Sequence, residues 1–248
     1  MALRSKFRRV MILGFVFSLG VALTANAGFT LTLTTDDYKL VNGQLVKQGT
    51  ITATISDNQF DSLNDGSITF VDFMFGDFLF TGTFATSNAS SMSSPATLTL
   101  SQASIRNSDR GDRTLTITVQ DTGFYVPAGP VRVDTELFAL DMSHGGSVSS
   151  YSLVDGVQAG DTVTRTGAGY SISSGNTNTT NLPYTLTNVT TVTLGRGGYA
   201  ISNGGTTVSP VAATPAPASV VMALAGAPVL GLFGWLRGRR NPVREVVA

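Results

Sequence analysis

Few residues of this chain could perform acid–base or nucleophilic chemistry. The 248 residues include one histidine, His144, and no cysteine. This composition excludes disulfide scaffolds, thiolate zinc sites, cysteine nucleophiles and sites with several histidines. His144 follows Ser143, but adjacent residues on a strand point to opposite faces, and Gly145 and Gly146 favour a turn here. We therefore predict no serine–histidine nucleophile.

Pairs of carboxylates are the remaining catalytic candidates, because glycoside hydrolases use two of them. The candidate pairs are Asp36 with Asp37, Asp72 with Asp77, and Asp134 with Glu136. Asp134 and Glu136 are two positions apart, so on a strand both side chains point to one face, and Glu136 would be the acid of such a site. Charges on the solvated face of a strand give the same pattern. We therefore predict no catalytic residue.

An oxygen-rich segment offers a weak calcium candidate. Asp57, Asp61 and Asp65 lie in a stretch that also contains Asn58 and Asn64. Ca²⁺ prefers oxygen ligands, but the spacing departs from the helix–loop–helix calcium motif. Turns also use Asp and Asn for their own backbone geometry. We therefore predict no metal and no other cofactor, and keep these three carboxylates as the alternative.

The charges of the chain are segregated although the formal net charge is zero and only 13% of the residues are charged. Both ends are basic. Residues 28–214 hold eight basic and fifteen acidic side chains, a net charge of −7. Nucleic-acid binding needs a basic surface, so the acidic body excludes nucleic acid as a partner.

The first 27 residues have the order of a secretory signal peptide. Arg4–Arg9 form a positive segment, Val10–Leu23 are uncharged, and Ala25 and Ala27 frame a small-residue cleavage site. The apolar run is short for a membrane-spanning helix, and a buried helix would not require this charge pattern together with a cleavage site. We therefore expect the export machinery and signal peptidase to act here, so that the mature chain begins at Gly28.

The C-terminal region contains a second apolar segment. Residues 218–236 carry no charge, and as a helix they would span about 28 Å, the thickness of one hydrocarbon core. Arg237, Arg239 and Arg240 follow at once. Positive charge resists translocation, so we predict a transmembrane helix over 218–236 and a basic cytoplasmic tail over 237–248.

The order of a proline motif, one apolar helix and an arginine cluster resembles the PEP-CTERM sorting signal of exported bacterial proteins. The resemblance covers residues 214–248, with Pro215, Ala216 and Pro217 where the family has Pro-Glu-Pro. It implies that an exosortase-type enzyme cuts near this motif and re-anchors the protein. A plain single-pass membrane anchor without processing is the alternative.

The body alternates apolar residues with threonine, which predicts strands. The pattern is plain at Thr30–Thr34, Thr50–Thr54 and Thr114–Thr118. Threonine is β-branched and polar enough for a solvated face, so such strands belong to antiparallel sheets with one wet side. We predict an all-β domain over residues 28–201, an antiparallel two-sheet sandwich of the jelly-roll kind.

Three further segments complete the predicted organisation. Ile68–Phe75 is apolar on both faces, which favours a central strand. Ser171–Asn181 is polar and predicts a loop. Residues 202–217 contain Gly, Thr and Pro and predict a linker with the sorting motif.

These features predict an exported cell-surface or extracellular-matrix structural protein without catalytic activity, membrane-anchored until processing. The alternative is a carbohydrate-binding module or weakly glycoside-active domain on the same sandwich, with extracellular polysaccharide as the partner. Sugar-binding modules need exposed aromatic side chains, and Tyr125, Tyr151, Tyr170 and Tyr199 are scattered along the sequence. The sequence therefore favours the structural role.

Overall fold

The computed structural model describes residues 28–42, 44–57, 66–89, 95–109, 111–125, 129–143, 145–179 and 182–211. The chain divides into two units, Met1–Pro210, which contains the strands of the described residues, and Val211–Ala248. The predicted signal peptide, the sorting motif with Pro215, Ala216 and Pro217, the helix over 218–236 and the arginines that follow it lie outside the described residues. Among the residues described, no helix is long and apolar enough to cross a membrane.

The described residues form twelve strands and no α-helix. The strands are β1 (Thr30–Val41), β2 (Gln44–Ser56), β3 (Ser67–Phe75), β4 (Phe78–Ser87), β5 (Ala96–Asn107), β6 (Arg113–Phe124), β7 (Gly129–Met142), β8 (Ser147–Val154), β9 (Val157–Arg165), β10 (Gly169–Thr179), β11 (Tyr184–Leu194) and β12 (Tyr199–Pro210).

The strands form two antiparallel six-stranded sheets. Sheet A has the order β2-β1-β6-β11-β8-β9, and sheet B has the order β10-β7-β12-β5-β4-β3. Within them β5 pairs with β12, β6 with β11, β7 with β10, and β8 with β9. This nested pairing is that of a long hairpin rolled into two sheets, which is a jelly roll. The predicted all-β, antiparallel two-sheet sandwich is therefore confirmed.

A tight turn joins the innermost pair of the roll. Asp155 and Gly156 connect β8 to β9 with φ angles of 49° and 79°. Positive φ at both central residues is the requirement of a type I′ turn, which Asp-Gly meets well. The β1–β2 and β3–β4 hairpins are outside the roll and extend sheet A beside β6 and sheet B beside β5.

The prediction of a central strand at Ile68–Phe75 is wrong, because β3 is the edge strand of sheet B. The register shifts between Phe70 and Phe73, and Asp72 has a φ of 52° in this bulge. An extra residue reverses which side chains face the core. Ile68 before the bulge and Phe75 after it are both buried, although they belong to opposite alternation sets. The two-faced apolar pattern therefore records a bulge.

The predicted polar loop at Ser171–Asn181 is also wrong, because β10 occupies most of it and pairs with β7. Its small side chains have a structural reason. A Cβ atom on Gly175 would lie 2.2 Å from the backbone nitrogen of Gly160 in β9. The backbone N–H of Asp161 donates to Ser173 Oγ at 2.8 Å. Edge strands of the two sheets thus meet directly, and larger side chains would not fit between them.

The predicted boundary between domain and linker at residue 201 is wrong as well. Strand β12 continues to Pro210 in the middle of sheet B, between β7 and β5. Ser202 and Thr206 are buried there despite their polarity. The sandwich therefore uses residues whose composition is typical of a linker.

A polar network explains this composition. It consists of six buried side chains, two from sheet B and four from sheet A: Thr135, Thr206, Ser150, Ser152, Asn188 and Thr190. Ser152 Oγ lies 2.6 Å from Thr135 Oγ1 and 2.5 Å from Thr206 Oγ1, so hydroxyl hydrogen bonds join the sheets. The Asn188 amide donates to Thr206 Oγ1 at 3.1 Å. Buried polar groups need partners, and here they supply them to one another.

Candidate functional site

Ser143, which precedes His144 in the sequence, has a structural role. Ser143 Oγ accepts a hydrogen bond from the backbone N–H of Tyr199 at 3.0 Å. Its own N–H donates to the Tyr199 carbonyl at 2.9 Å. Ser143 thus joins the end of β7 to the start of β12. His144 lies outside the described residues.

Asp36, the first member of the Asp36–Asp37 pair, forms an ion pair within the β1–β2 hairpin. Asp36 Oδ2 lies 2.8 Å from Lys47 Nζ, and Thr50 Oγ1 donates to Asp36 Oδ1 at 3.2 Å. The hydrogen bond from Lys47 lowers the pKa of Asp36. Asp37 is exposed on the same strand. Asp36 therefore supports the β1–β2 hairpin.

Asp72 and Asp77 also bind separate partners. Asp72 accepts a hydrogen bond from Thr81 Oγ1 at 3.3 Å. Asp77 accepts one from Arg113 Nε at 2.9 Å. Arg113 is buried, also forms an ion pair with Asp109, and lies 4.1 Å from the centre of the Tyr38 ring. Asp77 therefore belongs to an arginine-centred cluster that holds the β1–β2 hairpin against two turns.

Of the three calcium candidates only Asp57 is described. Its two carboxylate oxygens accept hydrogen bonds from the backbone N–H groups of Gly66 and Ser67, at 2.9 and 3.0 Å. Asp57 thus closes the chain segment between β2 and β3. Asp61 and Asp65 lie outside the described residues, and within those described no three His, Cys, Asp or Glu side chains form a group that could hold a metal ion.

A second buried carboxylate, Asp121 in β6, was not singled out by sequence analysis. Ser87 Oγ donates to it at 2.5 Å and the backbone N–H of Thr122 donates at 2.7 Å. Burial raises the pKa of Asp121, and the negative charge of Asp57 adds to this effect. Asp121 continues the inward series of Leu115, Ile117 and Val119, so its alternation was the available signal.

The outer surface of sheet B gathers exposed apolar side chains. Phe138 and Leu140 project from β7, and Tyr170 and Ile172 project from the neighbouring strand β10. Their exposed fractions are 38%, 43%, 51% and 46% in that order. Tyr170 lies directly opposite Phe138 in the strand register. We call these four residues the aromatic face.

Charged and polar side chains border the aromatic face on the same strands. Arg132 Nε lies 2.8 Å from Asp134 Oδ1, and Ser174 Oγ donates to the same oxygen at 2.6 Å. Glu136 is exposed opposite Ile172, one diagonal step from Tyr170. Burial raises the pKa of the Tyr170 hydroxyl, and the negative charge of Glu136 adds to this. The predicted placement of Asp134 and Glu136 on one face of a strand is confirmed.

A third aromatic side chain lies at one end of the same surface. Tyr199 starts β12, is exposed, and its hydroxyl donates to Asp141 Oδ2 at 2.9 Å. Tyr170 and Tyr199 are far apart in the sequence, but the fold places both on the outer face of sheet B. The interpretation of the tyrosines as scattered is therefore wrong for these two. Tyr151 lies on sheet A, in β8. The alternation of Tyr170 with Ile172 was a signal for this face, but it opens a stretch whose polarity is typical of loops.

No protein-family profile and no curated protein matches the chain. Three solved structures are similar in part. TmCBM61 in complex with β-1,4-galactotriose has a TM-score of 0.30 and 12% identity, over 54% of this chain and 88% of that one. The enzymatically active domain of bacteriophage CBA120 tailspike protein 4 has a TM-score of 0.28 and 12% identity, over 59% and 21% of the two chains. A structure of infectious bursal disease virus, Gx strain, has a TM-score of 0.28 and 14% identity, over 83% and 55%. Likenesses this weak carry no argument about fold or function.

Proposed function

We propose that this protein is an exported cell-surface or matrix protein whose sandwich binds polysaccharide on the aromatic face. The observation that carries the proposal is the direct opposition of Tyr170 and Phe138, both exposed, on one outer surface. Sugar rings present apolar C–H surfaces that pack on aromatic rings, while carboxylates and hydroxyls at the border hydrogen-bond sugar hydroxyls. Glu136 and Ser174 supply such groups here.

Export and surface sorting belong to the same proposal. The signal-peptide pattern ending at Ala25 and Ala27 and the motif at Pro215–Pro217 with its arginine cluster support it. Processing by an exosortase-type enzyme would release the membrane segment and leave the sandwich at the surface. The mass of protein recovered from native cells tests this directly, with a start at Gly28 and an end near Pro217 expected. Recovery of Arg237–Arg240 would instead indicate a plain membrane anchor.

The proposal is for binding without catalysis. Asp134 already accepts two hydrogen bonds, from Arg132 and Ser174, on one oxygen. These contacts fix the Asp134 carboxylate on the outer face of sheet B, where it borders the bound polymer. A structural role at the surface is compatible with polysaccharide binding.

The test is affinity electrophoresis of the full-length chain in neutral detergent through gels containing galactan, mixed-linkage glucan or a partly deacetylated N-acetylglucosamine polymer. We expect at least one polymer to retard the protein. Tyr170→Ala should weaken that retardation about tenfold, because a stacking ring is removed. Thr116→Ala on the outer face of sheet A is the matched control and should change nothing. Equal effects of both substitutions, or no retardation by any polymer, would overturn the proposal.

A further inference from the structure

The charges around the aromatic face are not balanced. The outer surface formed by β7, β10 and β12 carries one cation, Arg132, and three carboxylates, Asp134, Glu136 and Asp141. Arg132 is paired with Asp134. Among the described residues, neither Glu136 nor Asp141 lies within ion-pair distance of a cation. Arg106 in the next strand, β5, lies directly opposite Tyr199, so this cation is at the Asp141 end of the surface. Among the described residues, Glu136 therefore carries the negative charge beside the aromatic side chains that has no neighbouring cation to offset it.

Glu136 places this negative charge next to an aromatic ring. Glu136 in β7 and Tyr170 in the paired strand β10 are diagonal neighbours on the same face. The carboxylate and the ring therefore border the same space above the sheet. Asp141 lies at the other side of Phe138 and Leu140, next to the Tyr199 hydroxyl. An ammonium group is attracted by the face of an aromatic ring and by a carboxylate together.

Polymers with carboxylate or sulfate groups would be repelled by this surface. They would face Glu136 and Asp141 with like charge, and the net charge of −7 over residues 28–214 opposes their approach. Neutral polymers gain stacking without an electrostatic contribution.

We infer that the aromatic face selects polysaccharides that carry free amino groups, such as deacetylated amino-sugar polymers, with Glu136 as the residue that recognises the ammonium. This inference rests on the proposed function and narrows its substrate class.

The experiment compares two forms of one polymer. Soluble oligomers of β-1,4-linked glucosamine and the same oligomers after full N-acetylation differ only in charge and acetyl groups. Binding of each to the full-length chain in neutral detergent is measured by calorimetry at low ionic strength. We expect the glucosamine form to bind about tenfold more tightly, and added salt to reduce the difference.

Two substitutions with equal change in charge locate the effect. Glu136→Gln should weaken binding of the glucosamine oligomer about tenfold and leave binding of the acetylated form unchanged. Asp37→Asn removes the same charge from the exposed end of β1, in the other sheet, and should leave both unchanged. Tyr170→Ala should weaken binding of both oligomers, since stacking of a sugar on the ring does not depend on charge.

The outcomes distinguish a failure of polysaccharide binding from a failure of charge selection. If neither oligomer binds, nor any neutral or acidic polymer, the proposed function itself fails. If both forms bind equally, or acidic polymers bind best, the aromatic face stands and the charge selection is wrong. If Asp37→Asn weakens binding as much as Glu136→Gln, a general attraction by the acidic body is the cause and the assignment to Glu136 is wrong.

Discussion

The two outer faces of the sandwich differ in chemistry. The outer face of sheet A carries a row of hydroxyl side chains in register across all six strands: Thr52, Thr34, Thr116, Thr191, Ser149 and Thr164. Neighbouring threonines bond to one another, as Thr34 and Thr52 do at 3.3 Å. The outer face of sheet B carries the aromatic face and its carboxylates instead. The row of hydroxyls is a solvated surface, beside which Tyr151 lies opposite Val189 on the same face. The aromatic face instead combines more exposed rings with carboxylates, the groups that distinguish one ligand from another.

The difference shows where specificity lies in such a fold. Threonine hydroxyls that bond across strands satisfy themselves and stabilise the sheet. The apolar surfaces of exposed rings such as Tyr170 and Phe138 are not hydrogen-bonded to their neighbours and are available to a ligand. Sheet A therefore serves mainly as the support, and sheet B carries the proposed interaction.

The largest effect is expected where β10 rests on β9. Gly175→Ala would place a methyl group 2.2 Å from the Gly160 nitrogen, which only backbone movement can relieve. We expect a loss of about 3 kcal/mol in the free energy of unfolding, measured by chemical denaturation. The displaced strand carries Tyr170, so polysaccharide binding should fall as well.

Gly205→Ala is the matched control for this prediction. A Cβ atom at Gly205 would have its nearest neighbour at 3.5 Å, an ordinary contact, and alanine suits a strand better than glycine. Its stability should stay within about 1 kcal/mol of the native protein. Equal losses from the two substitutions would mean that β9 and β10 do not meet as described.

A smaller effect is expected in the network between the faces. Asn188→Ala removes the amide that donates to Ser150 and Thr206 and leaves space inside the sandwich. We expect a loss of about 2 kcal/mol. The comparable substitution Asn176→Ala, at an exposed position of β10, should cost less than about 0.5 kcal/mol. A neutral Asn188→Ala would show that the network contributes nothing to holding the sheets together.

The third effect concerns Asp121, the buried carboxylate of β6 in sheet A. Because the pKa of Asp121 is raised in the folded protein, the folded state binds its proton more tightly than the unfolded chain does. Its contribution to stability is therefore greatest at low pH and falls as pH rises from the ordinary carboxyl range through the raised pKa.

Asp121→Asn removes this dependence. It retains an acceptor for the Thr122 N–H, and its amide group can pair with the Ser87 hydroxyl. We expect the variant to lose less stability than the native protein between pH 4 and pH 7. The measurement is urea denaturation across that range. A native-like pH dependence in Asp121→Asn would contradict the assignment.

Sequence reasoning was strongest for sheet A and weakest for the surface that carries the proposed site. Strands β1, β2 and β6 have one apolar and one threonine face, so their alternation identified them. Strands β10 and β12 lack this alternation of apolar residues and threonine, so the same pattern does not identify them. Gly175 is small because a neighbouring backbone lies against it, and Thr206 is polar because its partners are other buried hydroxyls. Both reasons come from contacts with distant segments, which no local pattern records.

The smallest effect is expected on the threonine face of sheet A. Thr116 is partly exposed in the central strand β6, between Thr34 and Thr191. Thr116→Asp adds a charge that water can solvate and loses some strand propensity, so the cost should be below about 1 kcal/mol, with polysaccharide binding unchanged. Thr135→Asp, at a fully buried position of β7, places the same charge inside the sandwich and should prevent folding. Thermal unfolding followed by circular dichroism distinguishes the two. A severe effect at Thr116 would mean that this face is covered in the native protein, and the distinction between a supporting face and a binding face would have to be abandoned.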